Sequence, residues 1–115
     1  MEYNQRLAIA KAMYAKPPGD DLPNQKFPRG TRVKVADEMP PHMSHFESGF
    51  EGIVEYTYGQ KYGGDDINSY SLIVLNKEGQ PINSIAWYYV SQLTLIDSNI
   101  QKGLEIINSY KLKRQ

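Results

Sequence analysis

The sequence predicts an α+β chain that is mainly β: a small five-stranded barrel with one helix before it and one after it. Three observations carry this expectation. Between residues 27 and 96, short segments alternate apolar and polar residues and are separated by Gly, Asn and Asp turn chemistry. On either side, 2–16 and 98–112 repeat apolar residues at three- and four-residue spacing. Several short strands cannot bury their faces as a flat sheet, so a strongly bent barrel is the economical arrangement. At 115 residues the chain is expected to be a single domain, 1–115.

In the first segment Tyr3, Leu7, Ala10 and Tyr14 fall on one helical face, and Pro17-Pro18 end the pattern. Residues 19–28 lack periodicity and read as a connecting loop. In 31–36, Val33 and Val35 oppose Arg32 and Lys34. In 52–58, Val54, Tyr56 and Tyr58 are expected opposite Ile53, Glu55 and Thr57. Residues 70–75, 82–87 and 93–96 complete five strands. The final helix is expected to start at a capping box, Ser98-Asn99-Ile100-Gln101, and to bury Ile100, Leu104 and Ile107. Lys111, Lys113 and Arg114 sit where a helix end favours cations. Gly103 costs that helix about 1 kcal/mol relative to alanine, so packing must hold it.

Thirteen basic and thirteen acidic side chains give a formal net charge of zero, which disfavours a protein built to coat nucleic acid. Without cysteine there is no disulfide framework, thiolate nucleophile or Cys-ligated metal site. No stretch is apolar enough to span a membrane, and the amino terminus lacks a signal-peptide apolar run, so a soluble cytoplasmic chain is expected. The charge is segregated: net +4 over 1–36, −6 over 37–66 and +2 over 67–115. The acidic middle comprises Asp37, Glu38, Glu47, Glu51, Glu55, Asp65 and Asp66, which are either solvated loop residues or a surface that steers a partner.

Phe27-Pro28-Arg29-Gly30-Thr31-Arg32-Val33-Lys34-Val35 resembles the opening strand of SH3-like barrels. His45-Phe46, Gly49 and Gly52-Ile53-Val54 are similar to the return strand after their long first loop. Residues 70–75, Trp87 and 93–96 fit the later strands. Within that fold the nearest similarity is to the barrel of the nitrile hydratase β-subunit, over 27–96. The resemblance implies a barrel and a habit of packing against a partner chain. It does not imply nitrile hydration, since in that family the metal and its Cys ligands belong to the other subunit.

Chemistry-bearing constellations are few. His42 and His45 share a loop with Asp37, Glu38 and Glu47, but Pro40-Pro41 argue for irregular backbone rather than a ligating helix face, and no metal or other cofactor is expected. Met39, Met43 and Phe46 are expected to plug the barrel mouth. Gly59-Gln60-Lys61-Tyr62-Gly63-Gly64 lacks the ending of a phosphate-cradling loop. Ser44, His45 and Glu47 are sequence neighbours without an oxyanion-hole motif, so an enzyme is not expected. The nine tyrosines stand out. Because successive strand residues face opposite ways, Trp87, Tyr88 and Tyr89 cannot all be core. Either the terminal helices cover the surplus rings or the rings meet a partner. The expected function is a non-catalytic protein-interaction module, an adaptor or inhibitor of the kind phages and mobile elements encode. Its contact surface would comprise Trp87, Tyr88, Tyr58, Tyr62, Asp65 and Asp66. The alternative is a weak nucleic-acid-binding barrel using Arg29, Arg32, Lys34, Lys111, Lys113 and Arg114.

Overall fold

The computed structural model describes residues 4–5 and 18–113. Residues 4–5 are helical; the rest of the helix expected over 2–16 lies outside the described residues, as does Arg114. The five strands are β1 (Arg32–Val35), β2 (Glu51–Thr57), β3 (Ser69–Leu75), β4 (Pro81–Tyr89) and β5 (Leu93–Asp97). A short helix, α1 (Tyr58–Tyr62), follows β2, and a longer one, α2 (Ile100–Lys113), follows β5. All ladders are antiparallel, in the order β4-β3-β2-β1-β5.

The expected closed barrel is not found: the sheet is open, with β4 and β5 at its two edges. It is nonetheless curled. In a flat sheet these edges would lie about 19 Å apart, at about 4.8 Å per strand. The link between them is the three-residue 3-10 turn Val90–Gln92, which even fully extended reaches only about 14 Å. The curl lets all five strands feed one core: Val33, Val35, Val54, Tyr70, Leu72, Tyr88 and Leu93 pack together with Phe27 and Met43. Met39, Phe46 and Phe50 pack against that cluster, so the loop between β1 and β2 plugs it as expected. The opposite face carries a second cluster, in which Ile53, Ile73 and Leu75 meet Ile107 and Tyr110 of α2. With a loop over one face and a helix over the other, neither face depends on closure for burial.

The last helix departs from expectation at its start. It begins at Ile100, and Asn99, not Ser98, caps it: Asn99 Oδ1 accepts the Lys102 N–H at 3.2 Å. Its buried residues are Gly103, Ile107 and Tyr110, with Leu104 half-buried. Gly103 is there for close approach. A Cβ at that position would overlap the Gly30 carbonyl oxygen and come within 2.7 Å of Gly30 Cα. Gly30 in turn has a φ of 98°, a conformation that favours glycine. A residue that weakens the helix in isolation therefore lets it dock backbone to backbone.

The charge segregation has a structural account. The Arg32 Nε donates to Glu51 Oε1 at 2.7 Å, Lys34 Nζ lies 3.3 Å from Asp37 Oδ1, and Lys111 Nζ lies 3.8 Å from Glu55 Oε2. Three acidic residues of the middle segment thus pair with cations from the two basic flanks. Glu55 is buried, and its Oε1 also accepts the hydroxyls of Ser71 (3.2 Å) and Ser84 (3.1 Å), tying β2, β3 and β4 to the end of α2. Among the described residues, no helix is long and apolar enough to cross a membrane.

Candidate functional site

The site is built where β2 runs into α1. Thr57 stops the strand and caps the helix: its Oγ1 accepts the Gln60 N–H at 3.2 Å, while Gln60 Oε1 accepts the Thr57 N–H at 2.9 Å. The Gln60 side chain is also anchored, its Nε2 donating to the Gly19 carbonyl at 3.0 Å. This short helix was not anticipated from the Gly-rich run, although Thr57 followed three residues later by Gln60 is a capping-box signal. Its consequence is to bring Tyr58 and Tyr62 beside one another, with ring centroids 4.8 Å apart.

A bulge brings in Tyr56. The β2–β3 register pairs Val54 with Leu72 but Tyr56 with Ser71, so Val54 and Tyr56 lie on opposite faces, contrary to the simple alternation. Val54 joins the core, and Tyr56 turns toward Trp87 of β4. The Trp87 ring then has three tyrosine neighbours in edge-on geometry: Tyr58 at 5.2 Å, Tyr56 at 5.7 Å and Tyr62 at 6.0 Å between centroids. Lys61 Nζ stands 5.7 Å from the centre of the Tyr56 ring.

Within Trp87-Tyr88-Tyr89 the alternation holds and divides the three roles. Tyr88 pairs with Tyr70 and is fully buried, which corrects its expected place on the contact surface: it supports that surface from beneath. Its hydroxyl donates to the Glu47 carbonyl at 3.3 Å. Burial, with the Glu47 charge adding to it, pushes the Tyr88 phenol up to about 12. Burial likewise raises Tyr70 and Tyr56 above the ordinary tyrosine range. Trp87 is half-buried, and Tyr89 is 46% exposed.

Trp87 and Tyr89 line an open groove of about 460 Å³ with Tyr58, which is 42% exposed. Its other wall comes from the β1–β2 loop, where Pro41–Met43 form a 3-10 turn that presents His42 and His45. The His42 ring lies 6.1 Å from Tyr89, and His45 stacks on Phe46 at 4.4 Å. Asp66 and Ser69 also line it, as do the apolar Met43, Phe46 and Ala86. Asp66 is held in place by its own backbone: its carbonyl accepts the Gly59 N–H at 3.0 Å, and its Oδ1 accepts the Asn68 N–H at 2.9 Å. Asp65 beside it is exposed. Among the described residues no three His, Asp or Glu side chains are placed to hold a metal ion.

Of the predicted contact residues, then, the structure gathers Trp87, Tyr58 and Asp66 at one groove. Tyr62 sits behind it against Trp87, Asp65 at its margin and Tyr88 in the core. His42, His45, Phe46, Ser69 and Tyr89 belong to the groove but were not anticipated there; only the parity of Tyr89 with Trp87 could have flagged one of them. The basic residues of the alternative are dispersed. Arg32, Lys34 and Lys111 are each paired with a carboxylate, and Lys113 is exposed at the end of α2. Arg29 is half-buried, its Nε shielded and without a hydrogen-bond partner. No known protein-family model matches the chain, and no curated protein matches it.

Proposed function

We propose that this protein is a non-catalytic interaction module that binds a partner protein through the groove around Trp87. The observation that carries this is the convergence, from three separate chain segments, of Trp87, Tyr58 and Tyr89 with Asp66 on one accessible concave surface. Aromatic rings are what protein-binding surfaces concentrate at their centres, and polar groups such as a carboxylate belong to the rim around them. The pairing of Arg32, Lys34 and Lys111 with carboxylates counts against a phosphate-binding stripe.

Affinity capture from the native cell tests this, using the wild-type chain, Trp87→Ala, Tyr89→Ser and the double variant Arg32→Gln/Lys34→Gln, each shown by circular dichroism to be folded. The expected result is a partner retained by wild type and by the Arg/Lys variant, and lost with both aromatic variants. A partner, or nucleic acid, retained by the aromatic variants and lost with the Arg/Lys variant would overturn it in favour of the basic surface.

A further inference from the structure

Resting on that reading of the groove, we infer that the feature it recognises is a cationic side chain of the partner, with an arginine guanidinium as the best fit. The groove is one-sided in its chemistry. Its lining includes the rings of Trp87, Tyr58 and Tyr89, whose faces carry negative potential, and its one acidic residue is Asp66. No lysine or arginine lines it. The imidazoles of His42 and His45 and the hydroxyls of Ser69, Tyr58 and Tyr89 can accept hydrogen bonds, and the Trp87 N–H is the one side-chain group of the lining that only donates. A guanidinium is the complement: it is planar enough to lie on an indole or phenol face, and it carries five N–H donors and no acceptor. It can also take both oxygens of a carboxylate at once.

Two further carboxylates are close in sequence: Asp65 adjoins Asp66, and Glu47 lies in the same loop as His42 and His45; none of these three carboxylates is among those paired with Arg32, Lys34 or Lys111. The Tyr56 ring already has a cation over it, Lys61 at 5.7 Å, so this aromatic cluster accepts positive charge within its own chain. That lysine lies over Tyr56, which does not line the groove.

The chain has a single tryptophan, so its emission reports on the groove directly. The experiment titrates the full chain with three blocked tripeptides, Gly-X-Gly, in which X is arginine, lysine or citrulline, the neutral isostere of arginine. Arginine should perturb Trp87 saturably, with citrulline about tenfold weaker and lysine between them. Asp66→Asn is the decisive variant. Asparagine keeps the Oδ1 that accepts the Asn68 N–H and removes only the charge, so the loop stays folded. In this variant arginine should fall to the citrulline level, while citrulline is unchanged. Citrulline binding as tightly as arginine, arginine leaving Trp87 unperturbed, or Asp66→Asn preserving the discrimination would each overturn the inference. None of these results touches the broader reading of the groove, which fails separately if partner capture survives Trp87→Ala.

Discussion

Replacing Gly103 by alanine should destabilise the protein, although the same change in an exposed helix stabilises it by about 1 kcal/mol. The added Cβ would overlap the Gly30 carbonyl oxygen and stand 2.7 Å from Gly30 Cα. Carbon atoms settle near 3.5 Å or beyond, so clearing Gly30 Cα alone would take a retreat of α2 by about 1 Å, and clearing the overlapped carbonyl oxygen takes more. A gap of that width forfeits a quarter to a half of each dispersion contact along the seam. The seam holds Ile107 (1% exposed) and Tyr110 (9%), packed on Ile53, Ile73 and Leu75. Each is worth roughly 2 to 3 kcal/mol of burial, and Gly30 would also strain the hydrogen bond it donates to Val54. After the propensity gain is subtracted, the expected net loss is about 2 kcal/mol, a drop in Tm of roughly 8 °C. Thermal and urea unfolding followed by far-UV circular dichroism measure it, with Asn108→Ala, an exposed position on the same helix, as the propensity control. A Gly103→Ala variant as stable as wild type, or more so, would refute the backbone-to-backbone docking of α2.

Three further outcomes are expected. Tyr88 ionises near 12 when folded but near the ordinary tyrosine value of about 10 when unfolded, so the folded state holds the extra proton. Stability should therefore be full below about pH 10 and fall by roughly 3 kcal/mol in total as pH rises through the folded value; Tyr88→Phe should flatten that fall in urea titrations between pH 9 and pH 12, taken as approximate bounds. Glu55→Ala leaves the Ser71 and Ser84 hydroxyls without their acceptor and should cost about 2 kcal/mol in urea unfolding. Lys111→Ala removes only a partly exposed partner of the same carboxylate and should cost less than about 1 kcal/mol. Partner affinity measured between about 50 and 200 mM salt should change less than tenfold, because one cation in an aromatic groove releases few counterions, and a steeper slope would point to phosphate contacts.

The five strands were legible from their short apolar or alternating runs bounded by turn residues: Val33 and Val35 point inward in β1, and Asn76 with Gly79 marks the β3–β4 turn. The site was only half legible. Parity puts Trp87 and Tyr88 on opposite faces without saying which is core, so Tyr88 was misplaced on the contact surface; the bulge between Val54 and Tyr56 has no sequence mark, and it carries Tyr56 to Trp87. The capping box of α1 was written in Thr57 and Gln60 yet masked by the surrounding glycines. Closure of the sheet was wrongly expected because local pattern does not say what covers a face. Phe50 reads as a loop residue, and Gly103 reads as a helix weakness, until the surfaces they meet are known. The segregated charges are similar: a surplus along the chain becomes a set of ion pairs only after folding brings β1 and α2 against the acidic stretch.

The most direct measurement is amide hydrogen exchange on the complex with the captured partner, compared with the free chain. Slowed exchange should be confined to 42–46, 58–69 and 87–89, the segments that form the Trp87 groove. Protection falling instead on 29–34 and 102–113, with the groove segments unchanged, would contradict the account.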